Sequence, residues 1–182
     1  MSKRKIIFGS ILLPLVALSG LAIYFITHEP QLPGPDYACP FCNEEVINKQ
    51  VLYHGNYLRV WSNRSPIVKG HLMIIPKRHA QRIEDWNAQE LTELNDVILR
   101  VKSAFEQAYG TSDFVLVLQN GIKAGQTVHH SHFHVIPKTE YNLASKVWLW
   151  MVMLTRPLDI ILATPVDQLM VDLEPVRQAL QQ

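Results

Sequence analysis

Residues 125–137 read Gly125-Gln126-Thr127-Val128-His129-His130-Ser131-His132-Phe133-His134-Val135-Ile136-Pro137. Three of the four histidines recur at every second position. Because side chains alternate between the two faces of a strand, an extended stretch has His130, His132 and His134 on one face. Neighbouring rings are then about 6.6 Å apart, which leaves room for a phosphate group or a metal ion. Such a row is unsuited to core packing, since each buried ring nitrogen needs a hydrogen-bond partner.

Together with two upstream segments, residues 130–137 resemble the signature of the histidine-triad (HIT) family of nucleotide-binding proteins. Residues 63–71 are similar to the family's first nucleotide-contacting segment, and residues 119–128 are similar to the stretch that leads into the triad. The resemblance runs from about residue 39 to residue 138. One departure is Ser131, where the family usually has an apolar residue, and we expect looser packing there rather than lost chemistry.

Length and charge limit the classes of protein to consider. A chain of 182 residues has room for one ordinary domain with extensions. The net charge of +1 makes no electrostatic case for binding nucleic acid. Two cysteines are too few for a disulfide scaffold.

The N-terminal segment, residues 1–29, has the pattern of a membrane anchor. Lys3, Arg4 and Lys5 precede 21 uncharged residues, 6–26, which as a helix extend about 32 Å and cross a bilayer core. A signal peptide cleaved near Ser19 is the alternative, but the apolar run continues beyond that residue. The basic cluster predicts a cytoplasmic N-terminus and a domain on the non-cytoplasmic side of the membrane.

The remaining chain divides into a proline-rich linker (30–38), a HIT-like domain (39–140) and a C-terminal tail (141–182). Within the domain, alternating patterns and turn residues predict strands, and a long apolar periodicity predicts one helix. These elements are a hairpin of strands 51–53 and 57–61, a strand 70–76, a helix 84–109 capped by Gly110, a strand 114–118 and the triad strand. The fold class is therefore α+β: an antiparallel sheet packed with one long helix, in agreement with the fold that the resemblance implies, plus the N-terminal transmembrane helix and a helical tail.

The tail has no assigned role. Residues 147–154 are apolar but too few for a second membrane span, so a core helix, a dimer contact and an interfacial helix all remain open. Residues 165–180 predict a final helix that Pro175 would kink.

The resemblance implies a catalytic mechanism at phosphorus. His132 matches the nucleophile, which attacks the α-phosphorus and forms a nucleotidyl-histidine that water hydrolyses. Its second ring nitrogen is expected to donate to a backbone carbonyl, which keeps the reactive tautomer. His134 and His71 match the histidines that hydrogen-bond the developing negative charge. The mechanism requires no Mg²⁺, because histidines and backbone amides supply the positive potential.

Four further residues match substrate-binding positions of the family. Gln126 and Thr127 are expected to bind phosphate oxygens and to help the leaving group. Gln119 matches a polar position that contacts substrate in part of the family, and Asn63 matches the residue that holds the ribose hydroxyls. Asn63 and Gln119 also suit plain turn and strand-end positions.

Cys39 and Cys42 form a Cys-x-x-Cys pair, which is half of a tetrahedral zinc site. In zinc-containing branches of the family, histidines at the positions of His79 and His130 complete a structural Cys₂His₂ site, so a structural zinc ion is the predicted cofactor. A redox dithiol and a simple disulfide are the alternatives.

The sequence thus predicts a membrane-anchored HIT-type hydrolase or nucleotidyl transferase, of the phosphoramidate or dinucleoside polyphosphate class. The second hypothesis is a non-catalytic nucleotide-binding or zinc-stabilised interaction module tethered to the membrane. The expected partners are a nucleotide substrate, the membrane and, by resemblance, a second copy in a homodimer.

Overall fold

A five-stranded antiparallel sheet forms the centre of the domain. The computed structural model describes residues 39–138 and 164–182, and the sheet order is β1-β2-β3-β5-β4. The strands are β1 (Val51–His54), β2 (Leu58–Ser62), β3 (Leu72–Pro76), β4 (Phe114–Leu118) and β5 (Phe133–Pro137). The helices are α1 (Glu44–Gln50), α2 (Ala88–Tyr109), α3 (Val166–Asp172) and α4 (Glu174–Leu180), with 3-10 turns at Pro40–Cys42, Ile83–Asp85 and Ile122–Ala124. The predicted α+β class, with its hairpin and long helix, is confirmed.

Several predicted segments lie outside the described residues: the membrane helix (6–26), the linker (30–38) and the apolar run of the tail (147–154). Within residues 39–138 and 164–182, no helix combines the length and the hydropathy needed to cross a bilayer.

The sheet has an apolar cluster on each face. Strand β3 is buried along its whole length, so its side chains alternate between the two clusters. Leu72 and Ile74 face the larger cluster with Phe105 of α2, whereas Met73 and Ile75 face a smaller cluster on the other side. The smaller cluster adjoins the functional site described below.

Helix α2 begins four residues later than the sequence pattern predicts. The side chain of Asn87 accepts a hydrogen bond from the Glu90 amide, and the Glu90 carboxylate accepts one from the Asn87 amide, both at 2.8 Å. This capping box starts the helix at Ala88 and leaves residues 83–85 as a separate 3-10 turn. Gly110 ends α2 with a φ of 67°, as predicted.

The described part of the tail packs into the main core. Leu169, Leu173, Val176 and Leu180 are all buried in the larger cluster with α2. Residues 165–180 form two helices that meet at Leu173, rather than the single kinked helix of the prediction. Pro175 lies in the first turn of α4, where its missing amide hydrogen breaks no helical hydrogen bond.

Gly70 closes the turn before β3, and its replacement tests how tightly that turn packs. Its φ is +88°, and an added Cβ would lie 2.5 Å from Cε2 of Tyr109 and 2.9 Å from Cγ of Pro137. We expect Gly70→Ala to lower the free energy of unfolding by more than about 1 kcal/mol, measured by urea denaturation. Gly110→Ala is the control, since its φ is +67° but a Cβ would meet nothing within 4 Å. If both variants lost the same free energy of unfolding, the predicted steric clash of a Cβ at Gly70 would be wrong.

Candidate active site

Strands β3, β5 and β4 form the floor of a cavity of about 360 Å³. Met73 pairs with His134 across β3 and β5, and Val117 pairs with His134 across β4 and β5. Paired residues of antiparallel strands project from the same face, so these three side chains lie together on the side away from α2. The sheet register therefore brings the third triad histidine into the cavity.

All but one of the predicted catalytic and substrate-binding residues line this cavity. They are His71, His132, His134, Asn63, Gln119 and Thr127. Phe41 and Arg64 also line the cavity and were not among the predicted site residues. A signal for Phe41 was present, because it lies between the two predicted cysteine ligands.

Hydrogen bonds assign the tautomers of His71 and His134. The Ile67 amide donates to Nδ1 of His71 at 3.2 Å, so the His71 proton is on Nε2. Nε2 lies 3.0 Å from Nδ1 of His134 and donates to it, which leaves the His134 proton on its own Nε2. Burial, and secondarily the nearby His132 ring, lower the pKa of His71 to about 3. His71 is therefore neutral near pH 7 and orients His134 as a hydrogen-bond donor.

Asn63 is part of the same network. Its Nδ2 lies 3.1 Å from Nε2 of His71 and 3.3 Å from Nδ1 of His134, and its Oδ1 accepts a hydrogen bond from the Ser65 amide at 2.8 Å. The side chain thus joins the segment of residues 63–65 to the histidine cluster. The backbone carbonyl of the next residue, Arg64, accepts a hydrogen bond from the Thr164 amide at 3.1 Å, which ties the C-terminal segment to the cavity rim.

His132 has the geometry of a nitrogen nucleophile. Nδ1 lies 2.8 Å from the backbone carbonyl of His130 and donates its proton there, so Nε2 carries the lone pair. The ring is 5% exposed and its centroid lies 4.9 Å from that of His134. The predicted hydrogen bond from the second ring nitrogen to a backbone carbonyl is present.

The triad strand is shorter than the sequence pattern predicts. Regular strand structure begins at Phe133, so His130 and His132 precede β5. The His130 ring lies beside Cys39 and Cys42, with 3.4 Å between its Nδ1 and Sγ of Cys39. The predicted row of histidines is therefore not continuous. His132 and His134 line the cavity, whereas His130 lies with the predicted metal ligands Cys39 and Cys42.

The structure gives Gln126 a role different from the predicted phosphate contact. Its Oε1 accepts a hydrogen bond from the Gly121 amide, and its Nε2 donates to the carbonyls of Gln81 and Val128, all within 2.7–2.8 Å. The residue is 5% exposed and does not line the cavity. Because its amide group is already bonded to three backbone groups, we correct the prediction: Gln126 holds the loop before the triad in place.

Ser131, the departure from the family pattern, is buried. Its amide donates to the carbonyl of Ala80 at 2.7 Å, while its hydroxyl has no hydrogen-bond partner among the described residues. A buried hydroxyl without a partner costs free energy, so Ser131 lowers the stability of this segment.

Cys39, Cys42, His79 and His130 form the predicted cluster. Their ligand atoms lie within 4.8 Å of one another, and Sγ of Cys42 is 3.4 Å from Nδ1 of His79. A tetrahedral zinc ion, with bonds of about 2.3 Å to sulfur and 2.0 Å to nitrogen, holds its ligand atoms about 3.5 Å apart. Both cysteines are free thiols. The donor set and its spacing fit a zinc ion.

The surroundings of this cluster suit metal ligation. Nε2 of His130 lies 3.0 Å from the carbonyl of Pro76 and donates to it, which leaves Nδ1 as the ligand atom. Burial lowers the pKa of His130 to about 4, so the ring is neutral near pH 7. Burial raises the pKa of the Cys39 thiol to about 11, so a bound cation would have to displace its proton.

A histidine ring nitrogen with a lone pair, beside a hydrogen-bond donor on an α+β sheet, is suited to chemistry at a phosphate group. The HIT domain family matches residues 44–141, more than half of the chain. The chain belongs to the HIT family.

Named relatives agree with this assignment. The chain is 35% identical over 98 residues to the asymmetrical bis(5'-nucleosyl)-tetraphosphatase of Schizosaccharomyces pombe, covering 54% of each protein. It is also 35% identical over 107 residues to a HIT-like protein of Methanocaldococcus jannaschii, covering 56% of this chain and 80% of that protein. The chain thus spans about half the length of the tetraphosphatase that it matches.

Solved structures share the fold. A Zn-bound histidine triad family protein from Mycobacterium smegmatis superposes with a TM-score of 0.59 at 21% identity, covering 80% of this chain and 94% of that chain. At this level of identity the match supports the fold.

Proposed function

We propose that this protein hydrolyses or transfers a nucleoside monophosphate, acting at the α-phosphate through a nucleotidyl-histidine. The observation that carries the proposal is the His132 tautomer, with Nδ1 donating to the His130 carbonyl at 2.8 Å and Nε2 left as the nucleophilic nitrogen. Asn63 would hold the ribose hydroxyls, while Thr127 and Gln119 would contact the phosphate chain.

The reaction has two displacements at one phosphorus. The Nε2 lone pair of His132 attacks the α-phosphorus, and the bond from phosphorus to the bridging atom of the leaving group breaks. The proton on Nε2 of His134 hydrogen-bonds a non-bridging oxygen as charge develops. Water or another acceptor then attacks the nucleotidyl-histidine, which releases the nucleotide and returns His132 to its neutral form.

Charge at the cavity rim favours an anionic leaving group, and hence a dinucleoside polyphosphate over a phosphoramidate. Among the described residues that line the cavity, Arg64 is a permanent cation and none is acidic. The relative from Schizosaccharomyces pombe is named as a tetraphosphatase of dinucleosides, in agreement with this substrate class.

Trapping the intermediate tests this function. The full-length chain is mixed with diadenosine tetraphosphate or adenosine 5'-phosphoramidate, quenched in alkali during the first turnover, and analysed by peptide mass spectrometry. We expect adenylate on His132 that forms and decays with turnover, and faster release from the polyphosphate. Folded protein that yields neither an adduct nor free nucleotide would contradict the proposal.

We propose zinc as the ion held by Cys39, Cys42, His79 and His130, with a structural role. Four protein ligands complete a tetrahedral shell and leave no position for a reactive water molecule. Zinc would join the Cys39–Cys42 turn to the segment before β5 through His130.

We propose a homodimer that forms through strand β4. In the described part of the chain β4 lies at the end of the sheet, and its apolar residue Leu116 is 39% exposed. An apolar edge strand with unpaired backbone groups pairs readily with a second copy. We expect Leu116→Lys to shift the protein from dimer to monomer in sedimentation equilibrium, with Leu99→Lys on the exposed surface of α2 as the control. A monomeric wild-type chain would contradict the proposal.

We propose that residues 6–26 anchor the protein in a membrane, with the N-terminus in the cytoplasm and the domain on the non-cytoplasmic side. The support is the uncharged run and the basic residues that precede it. Resistance of the full-length chain to alkaline carbonate extraction is expected, and release into the soluble fraction would contradict the anchor.

A further inference from the structure

Phe41 is shared by the metal-ligand cluster and the cavity. It lies inside the Pro40–Cys42 turn, between the two cysteines, and is 7% exposed. Its ring centroid is 5.2 Å from that of His132 and 5.3 Å from that of Trp61, both in edge-on geometry. The ring also lines the cavity. A residue that connects two metal ligands thus packs directly on the nucleophile.

His130 provides a second connection between the same two sites. Its Nδ1 lies 3.4 Å from Sγ of Cys39, and its backbone carbonyl accepts the Nδ1 proton of His132 at 2.8 Å. The Phe41 and His130 rings are also in contact, with centroids 5.7 Å apart. One side of the His132 ring is therefore restrained by packing, and one ring nitrogen is restrained by a hydrogen bond.

We propose that Phe41 is a positioning residue for His132. An ordered Pro40–Cys42 turn holds the Phe41 ring against His132 and so fixes the orientation of the nucleophile. The proposal rests on the proposed function and goes beyond a purely structural role for the metal centre. Rotation of the His132 ring would break the bond to the His130 carbonyl and turn Nε2 away from the phosphorus. Contact with Phe41 opposes this rotation, and a metal ion on the flanking residues Cys39 and Cys42 would fix the backbone that carries the Phe41 ring.

Paired leucine substitutions test the proposal on the full-length zinc-loaded protein. Phe41→Leu removes the edge contact, and Phe105→Leu makes the same change in the core on the other side of the sheet, where Phe105 is fully buried. We expect Phe41→Leu to retain one zinc ion per chain and to lower kcat about 10- to 100-fold, the usual effect of losing a residue that orients a functional group. Phe105→Leu should lower the melting temperature and leave kcat unchanged.

NMR of the histidine rings gives a measurement that would not change if Phe41 only stabilised the fold. In the wild type we expect the His132 ring to show one tautomer, protonated at Nδ1. In Phe41→Leu, and in wild type stripped of zinc below its melting temperature, both tautomers should be populated. If both samples showed only the Nδ1-protonated tautomer of His132, the proposal would be wrong. It would also be wrong if Phe41→Leu lost its zinc ion and excess zinc restored the single His132 tautomer, because Phe41 would then act only by retaining the metal.

These outcomes separate the inference from the proposed function. If the wild type were inactive but its His132 tautomer still depended on Phe41, the proposed hydrolase activity would be wrong and the positioning role of Phe41 would stand. If the wild type were active and Phe41→Leu had the same kcat and the same His132 tautomer, the positioning role of Phe41 would be wrong and the hydrolase activity would stand.

Discussion

Replacing His132 with Asn is expected to abolish turnover while nucleotide binding survives. Asn has no ring nitrogen that can form a bond to phosphorus, so the covalent pathway is lost, and kcat should fall by about 10⁴-fold or more. The cavity residues proposed to hold ribose and phosphate remain, since Asn63 and His71 are bonded to His134. Calorimetry with AMP and a nucleotide-release assay measure the two quantities separately.

His129→Asn is the matched control for this experiment. His129 is the neighbouring histidine of the same segment and does not line the cavity, so its replacement should leave kcat and the AMP affinity unchanged. If His132→Asn turned over like the wild type, the nucleotidyl-histidine pathway would be wrong. If neither the wild type nor the variant released nucleotide while both bound AMP, the non-catalytic binding module would be the better account.

Removing a ligand of the Cys₂His₂ cluster is expected to be the most destabilising change. With His79 replaced by Ala, the proposed zinc ion would lose one of four ligands, and the Cys39–Cys42 turn would lose its link to the segment that follows β3. Free energy of metal binding is free energy of folding at such sites, so a loss of several kcal/mol is expected. At about 2–4 °C per kcal/mol for a chain of this size, the melting temperature should fall by about 10 °C or more.

Calorimetric melting with metal analysis by mass spectrometry measures this effect. His54→Ala is the matched control, since His54 lies at the exposed end of β1 and outside the cluster. Chelation of the wild type should reproduce the shift of His79→Ala, and added zinc should reverse it. Wild-type protein purified without a bound metal ion, or a melting temperature indifferent to chelation, would contradict a structural zinc site.

Local sequence rules predicted much of the fold because each depends on residues near one another in the chain. Gly110 ends α2 as expected, and the hairpin of β1 and β2 forms around residues 55–57. The start of α2 was wrong by four residues, since Asn87 and Glu90 form a capping box that the apolar pattern does not reveal. Pro175 likewise divides the last helix instead of bending it.

The sequence pointed to most of the candidate site residues, but it gave the wrong role to Gln126 and missed Phe41. Spacing and residue type indicated the histidines and cysteines, since imidazole and thiolate groups are the usual zinc ligands and imidazole is a nucleophile near pH 7. Gln126 was assigned to phosphate because it adjoins the triad, and its three backbone hydrogen bonds depend on a loop fold that no spacing rule describes. Phe41 was overlooked because its side chain has no catalytic or metal-binding group, and its position between the two cysteines was the one signal in the sequence.

By itself the sequence determined the histidine series, the Cys-x-x-Cys pair and the order of strands and helices, all of which follow from local spacing and periodicity. The family resemblance had already grouped His130 with the cysteines, which are 91 and 88 residues away along the chain, and only the tertiary structure decided that its ring is separate from the cavity pair of His132 and His134. It also decided that His71 orients His134, 63 residues away. The physical reason is that these contacts depend on the register of β3 against β5, and register is a property of the assembled sheet rather than of either strand.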